Sequence, residues 1–111
     1  MFIKTQIIKY MRKDEGTKYY LIDSDRFKTE YDGLSRLDTF EKLVEDGIIN
    51  LKNVHEIGFI NFINSINAIL DGNSTIGRFK FFRVGPNSLS LEEQLAVERN
   101  QEYIYNGENI N

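Results

Sequence analysis

Glu56-Ile57-Gly58-Phe59-Ile60-Asn61-Phe62-Ile63-Asn64-Ser65-Ile66-Asn67-Ala68-Ile69-Leu70 is the most apolar stretch of the chain, and its reading decides the fold. Stepping about 100° per residue gathers Phe59, Phe62, Ile63, Ile66, Ile69 and Leu70 into one arc, with Asn61, Asn64, Ser65, Asn67 and Ala68 opposite. Ile57 and Ile60 fall outside the arc. A strand would need alternation. The triplets Phe-Ile-Asn, Phe-Ile-Asn, Ser-Ile-Asn and Ala-Ile-Leu instead recur with period three, which in a helix makes rows that drift slowly across one face. The stretch therefore predicts a buried central helix. Asn53 with Glu56 has the spacing of an N-cap and its reciprocal partner, and Asp71-Gly72 supplies a left-handed stop. Six large side chains buried at roughly 1.5 to 3 kcal/mol each are enough to organise a small domain.

On the N-terminal side, residues 2–13 and 17–23 are rich in Ile, Tyr, Phe and Thr, and Asp14-Glu15-Gly16 between them suits a short turn. This predicts a β-hairpin, with Ile3, Ile7 and Met11 on one face of its first strand. Arg26-Phe27-Lys28-Thr29-Glu30-Tyr31 alternates charged with aromatic or β-branched residues, as a half-exposed third strand would. Asp38-Thr39-Phe40-Glu41 has the spacing of a capping box opening a short helix that Gly47 ends, and Ile48 to Leu51 reads as a strand.

On the C-terminal side, Arg78 to Val84 reads as a strand broken by Gly85-Pro86-Asn87. Ser90-Leu91-Glu92-Glu93 is the clearest capping box in the chain. It predicts a final helix carrying Leu91, Leu95 and Tyr103 inward and stopping near Asn106-Gly107. The expectation is thus a small single-domain α+β sandwich over residues 1–107. It has a mainly antiparallel sheet of four to five strands with about three helices, in the order ββ(β)αβαβα, and residues 108–111 form a disordered tail.

The 111 residues hold no cysteine and one histidine, His55, so thiol nucleophiles, disulfides and multi-histidine metal sites are excluded. No phosphate-cradling glycine loop and no GxSxG are present. Hence no catalytic residue, metal site or cofactor is assigned. Absence of cysteine fits a reducing compartment; Lys4, Lys9, Arg12 and Lys13 interrupt the apolar residues of the first dozen positions and no later apolar run approaches membrane-spanning length, so a soluble cytoplasmic protein without membrane association is expected.

Charge is uneven. Residues 76–87 carry three basic and no acidic groups, while 88–111 carry one basic and five acidic. The first functional expectation is a small non-enzymatic module that occupies a surface of a larger protein, such as an accessory or inhibitor protein of a phage or mobile element. Tyr10, Tyr20, Phe82, Glu98 and Glu102 are its candidate contacts, because tyrosine and phenylalanine supply interface area and the glutamates suit a basic partner. Homodimerisation through an edge strand is a related expectation.

The alternative is a nucleic-acid-binding regulator in which Arg78, Lys80 and Arg83 meet phosphates and Phe82 stacks on a base. A third reading places a hydrolytic metal among Asp23, Asp25, Glu30 and Asp32, although aspartate at turns has an ordinary structural explanation. Phe82 separates these readings. Adjacent Phe81 and Phe82 cannot share a face of a regular strand, so the sheet is covered on both faces, the strand is bulged, or Phe82 faces a partner.

Overall fold

The computed structural model describes the backbone of residues 2–86 and 88–105 and the side chains of residues 3–86 and 88–100. Among these residues the chain forms five helices, α1 (Phe2–Tyr10), α2 (Arg36–Glu45), α3 (Val54–Ile57), α4 (Phe59–Leu70) and α5 (Leu91–Tyr105). Three strands, β1 (Lys18–Asp23), β2 (Arg26–Phe27) and β3 (Phe79–Val84), make one antiparallel sheet in the order β2-β1-β3. The expected four to five strands with about three helices is therefore corrected to three strands with five helices, still within the α+β class. The expected stop at Asn106-Gly107, the tail 108–111, Asn87 and the side chains of Glu102 and Tyr103 lie outside the described residues. Among the described residues no helix is long and apolar enough to cross a membrane.

The largest correction is at the N-terminus, where a strand was expected and α1 forms. Ile3, Ile7 and Met11 are four residues apart, a spacing compatible with period two and with period 3.6 alike. Thr5 and Lys9 break the tie. A strand would place both on the face of Ile3 and Ile7, yet both are exposed while Ile7 and Met11 are buried. The hairpin lies one turn later, between β1 and β2, where Ser24 takes the left-handed conformation at φ 59°.

The third strand shortens to β2 because the chain leaves the sheet after Lys28, whose N–H still reaches the Leu21 carbonyl at 2.9 Å. A 3₁₀ turn at Thr29–Tyr31 then swings Tyr31 under the core, with its hydroxyl on Asp46 at 2.7 Å. Burial, followed by the Asp46 hydrogen bond, pushes the Tyr31 phenol well above its ordinary pKa. No strand forms at Ile48 to Leu51. The N–H groups of Ile48 and Ile49 both close on the Leu43 carbonyl at the end of α2, and a 3₁₀ turn follows at Leu51–Asn53.

Helix α2 starts earlier than expected. Ser35, not Asp38, is its N-cap and accepts from the Asp38 N–H at 3.1 Å. The central stretch also divides, into α3 and α4, at Gly58. At φ 88° and ψ 156° this residue occupies a conformation essentially reserved for glycine. Asn53 makes no side-chain cap; Asn50 caps the preceding 3₁₀ turn instead. The final capping box forms as expected, Glu93 N–H to the Ser90 hydroxyl at 3.2 Å and Ser90 N–H to the Glu93 carboxylate at 3.0 Å.

The core joins Ile7 and Met11 of α1, Tyr19 and Leu21 of β1, Phe40 and Leu43 of α2, Phe62, Ile63, Ile66, Ile69 and Leu70 of α4, and Phe81 of β3. In the β1–β3 register Tyr20 faces Phe82 and Leu21 faces Phe81, so the two phenylalanines emerge on opposite faces of the sheet. Both are buried. Phe82 is 5% exposed although it lies outside the main core cluster, and α5 packs over its face of the sheet. Coverage on both faces is thus the resolution of the Phe81-Phe82 conflict.

The outer edge of β3 is covered along its length. Ile76 pairs with Phe79 through both backbone groups. Gly72, at φ 77°, approaches the Phe81 carbonyl so closely that a Cβ there would lie 3.0 Å from it. The Gln94 side chain of α5 donates to the Arg83 carbonyl and accepts from the Arg83 N–H at 3.4 Å, as a neighbouring strand would.

Candidate functional site

Two surfaces carry unusual chemistry. The first is a groove between α1 and α4, about 540 Å³ in volume and lined by Ile3, Gln6, Tyr10, Phe59, Ile60, Ile63 and Asn64. On α1, Ile3, Gln6 and Tyr10 form one stripe, offset from the Ile7 and Met11 stripe that enters the core. On α4, Phe59, Ile60, Ile63 and Asn64 line the groove, Phe59 and Ile63 from the edge of the buried arc and Ile60 and Asn64 from outside it. Ile60 is 72% exposed, Tyr10 58% and Ile57 44%, the first two directly on the groove. Tyr10 stands edge-on to Phe59, with ring centroids 5.7 Å apart, and the Lys9 ammonium lies 5.7 Å from the Tyr10 ring. No lining residue is charged, and the twelve residues of α4 include no charge at all.

The second is a polar network at the junction of β1, α2 and α4. Arg36 is 2% exposed, and its Nη1 donates to the Tyr19 hydroxyl at 2.7 Å and to Asp71 at 2.8 Å, while Nη2 donates to Asn67 at 2.7 Å. Its Nε is buried with no hydrogen-bond partner, and the guanidinium lies 5.8 Å from the Tyr19 ring. Arg12 also bonds Asp71, and Arg83 lies 3.6 Å from Asp14 and 3.7 Å from Asp71. Asp14 in turn accepts from Thr17 at 2.7 Å and Tyr19 at 3.0 Å. Partial burial alone would raise the Asp14 pKa; the Thr17 and Tyr19 hydrogen bonds with the charges of Arg83 and Arg36 outweigh it and hold the carboxyl below its ordinary range. Burial raises the Tyr19 phenol against the opposing pull of Arg36. This network ties three elements together at one buried cation.

The residues singled out from sequence are dispersed. Tyr10 stands on the groove. Tyr20 and Phe82 are cross-strand partners on β1 and β3, and Glu98 of α5 bonds Lys80 of β3. Glu102 lies on α5 with its side chain outside the described residues. On the basic strand Arg78 bonds Asp23, Lys80 bonds Glu98, and Arg83 faces Asp14 and Asp71. Around the β1–β2 turn, Asp23 is held by Arg78 and Glu30 by Lys28 at 3.3 Å. Among the described residues no three His, Cys, Asp or Glu side chains are placed to hold a metal ion.

Sequence reasoning missed Ile3, Gln6, Phe59, Ile60, Ile63 and Asn64 as a surface. The available signal was Ile60, left off the buried arc of a helix with no charged residue. It also missed Arg36, for which Ser-Arg-Leu-Asp carries no signal beyond an ordinary helix start. Comparison with family models, curated proteins and solved structures finds no match to this chain.

Proposed function

We propose that the protein is a small non-enzymatic protein-binding module whose working surface is the groove between α1 and α4. The observation that carries this reading is the absence of charge from a largely apolar groove, in which exposed Tyr10 and Ile60 stand over half-buried Ile3 and Phe59 and buried Ile63, with the amides of Gln6 and Asn64 beside them. A helix face meant for water alone ordinarily carries lysine and glutamate, whereas the centres of protein interfaces are depleted of charge and enriched in aromatic residues. The edge-on contact of Tyr10 with Phe59 holds one such aromatic in place before a partner arrives.

Of the side chains nominated from sequence, Tyr10 lines this groove, while Phe82 is buried beside Tyr20 in the sheet and Glu98 joins α5 to β3 through Lys80. The carboxylates already facing Arg78, Lys80 and Arg83 support this reading over a nucleic-acid regulator, since phosphate would have to displace them.

The test is affinity capture from source cells with the parent protein and the Ile60→Glu variant in parallel, after matching their melting temperatures. Ile60 is exposed, so stability is expected to hold while the specifically retained protein is lost. Retention of the same proteins by both forms would refute the groove as the working surface.

A further inference from the structure

We propose, resting on the groove reading above, that its occupant is an amphipathic helix of a partner protein, flanked by acidic residues. The backbone decides against an extended peptide. The walls are two α-helices, whose amides and carbonyls close within their own turns, so an extended segment lying on them would leave its own N–H and C=O groups without backbone partners. Of the lining side chains, the amides of Gln6 and Asn64 and the Tyr10 hydroxyl could answer it. The one long strand with an outer edge, β3, has that edge covered by Ile76, Gly72 and Gln94. A helix brings its hydrogen bonds already satisfied and needs apolar contact alone, which Ile3, Tyr10, Phe59, Ile60 and Ile63 supply. It would pack as a third helix across α1 and α4, its anchors at i, i+3, i+4 and i+7.

Charge sets the flanks. Residues 2–13 hold four cations, Lys4, Lys9, Arg12 and Lys13, and no carboxylate. Lys4 pairs with Glu41 and Arg12 with Asp71. Lys9 and Lys13 are exposed and make no ion pair among the described residues. The Lys9 ammonium lies 5.7 Å from the Tyr10 ring, beside a groove lining that offers no charge of either sign, whereas Lys13 lies beyond α1 with Asp14 and Glu15. An acidic flank meets Lys9 favourably. A second copy of this chain, seated groove to groove, would bring the same cations together.

The test uses three fluorescein-labelled helical peptides sharing one leucine stripe and differing only in flanking residues, glutamate, glutamine or lysine. Anisotropy at low salt is expected to rank them in that order, with about tenfold between the first and last and a gap that narrows as salt is raised. Lys9→Glu is expected to invert the order, and Ile60→Glu to abolish binding of all three. Both variants change exposed positions, and each is first matched to the parent's melting temperature. Equal binding of the three peptides, lost in Ile60→Glu, would overturn the acidic flank and leave the groove reading standing. Binding of none, while Ile60-dependent capture from cells persists, would overturn the helical occupant. A dimer in sedimentation equilibrium that Ile60→Glu dissociates would place a second copy in the groove and overturn the proposal.

Discussion

Arg36 concentrates more of the structure's polar interactions than any apolar position could. Its guanidinium reaches Tyr19 of β1, Asn67 at the end of α4 and Asp71 just beyond it, from the first turn of α2. Removing one member of such a buried pair strands the rest, so Arg36→Ala is expected to cost about 3 to 5 kcal/mol, read by urea denaturation. The network also gives the protein an acid limb. Because the folded-state pKa of Asp14 is depressed, its contribution is present above the unfolded carboxylate pKa and is lost as pH falls through the folded value. Asp14→Asn is therefore expected to flatten the fall of melting temperature below about pH 4, measured by calorimetry against the parent. None of this was legible beforehand. An arginine after an N-cap serine looks solvated, and its partners lie 17, 31 and 35 residues away.

Among the elements, α4 and α5 could be read from their letters, whereas α1 and the loop before α3 could not. The difference lies in what the local pattern constrains. A run of triplets fits one period only, and a capping box is a local hydrogen-bond unit that closes without help from the rest of the chain. Ile3, Ile7 and Met11 fit two periods, so tertiary packing chose between them. At Ile48 and Ile49 the β-branched letters suggested a strand, but the end of α2 had already taken their amides. Gly58 was readable as an ordinary helix residue and is instead the break between α3 and α4. A Cβ there meets nothing within 4 Å, so the cost of Gly58→Ala is backbone strain alone. We expect about 1 to 3 kcal/mol of destabilisation by chemical denaturation.

At the scale of the whole molecule, the helices divide the labour. Helices α1, α2 and α4 supply side chains to the main core, and α1 with α4 also forms the uncharged groove, while α5 packs against β3. A protein that displays one sticky surface must keep its others inert, and the Gln94 amide does this at the strand edge. Its consequence concerns polymerisation. A strand edge that cannot accept another strand cannot template one, so the Gln94 amide at the Arg83 end of β3, backed by the Lys80–Glu98 contact, is expected to share with Gly72 and Ile76 the barrier to fibril growth from that edge. Gln94→Ala should shorten the lag before thioflavin-T signal under agitation while leaving the melting temperature almost unchanged; an unaltered lag would assign the barrier to Gly72 and Ile76. Long-term storage life, on this view, depends on how often the first turns of α5 lift from the sheet and only weakly on how tightly the core is packed.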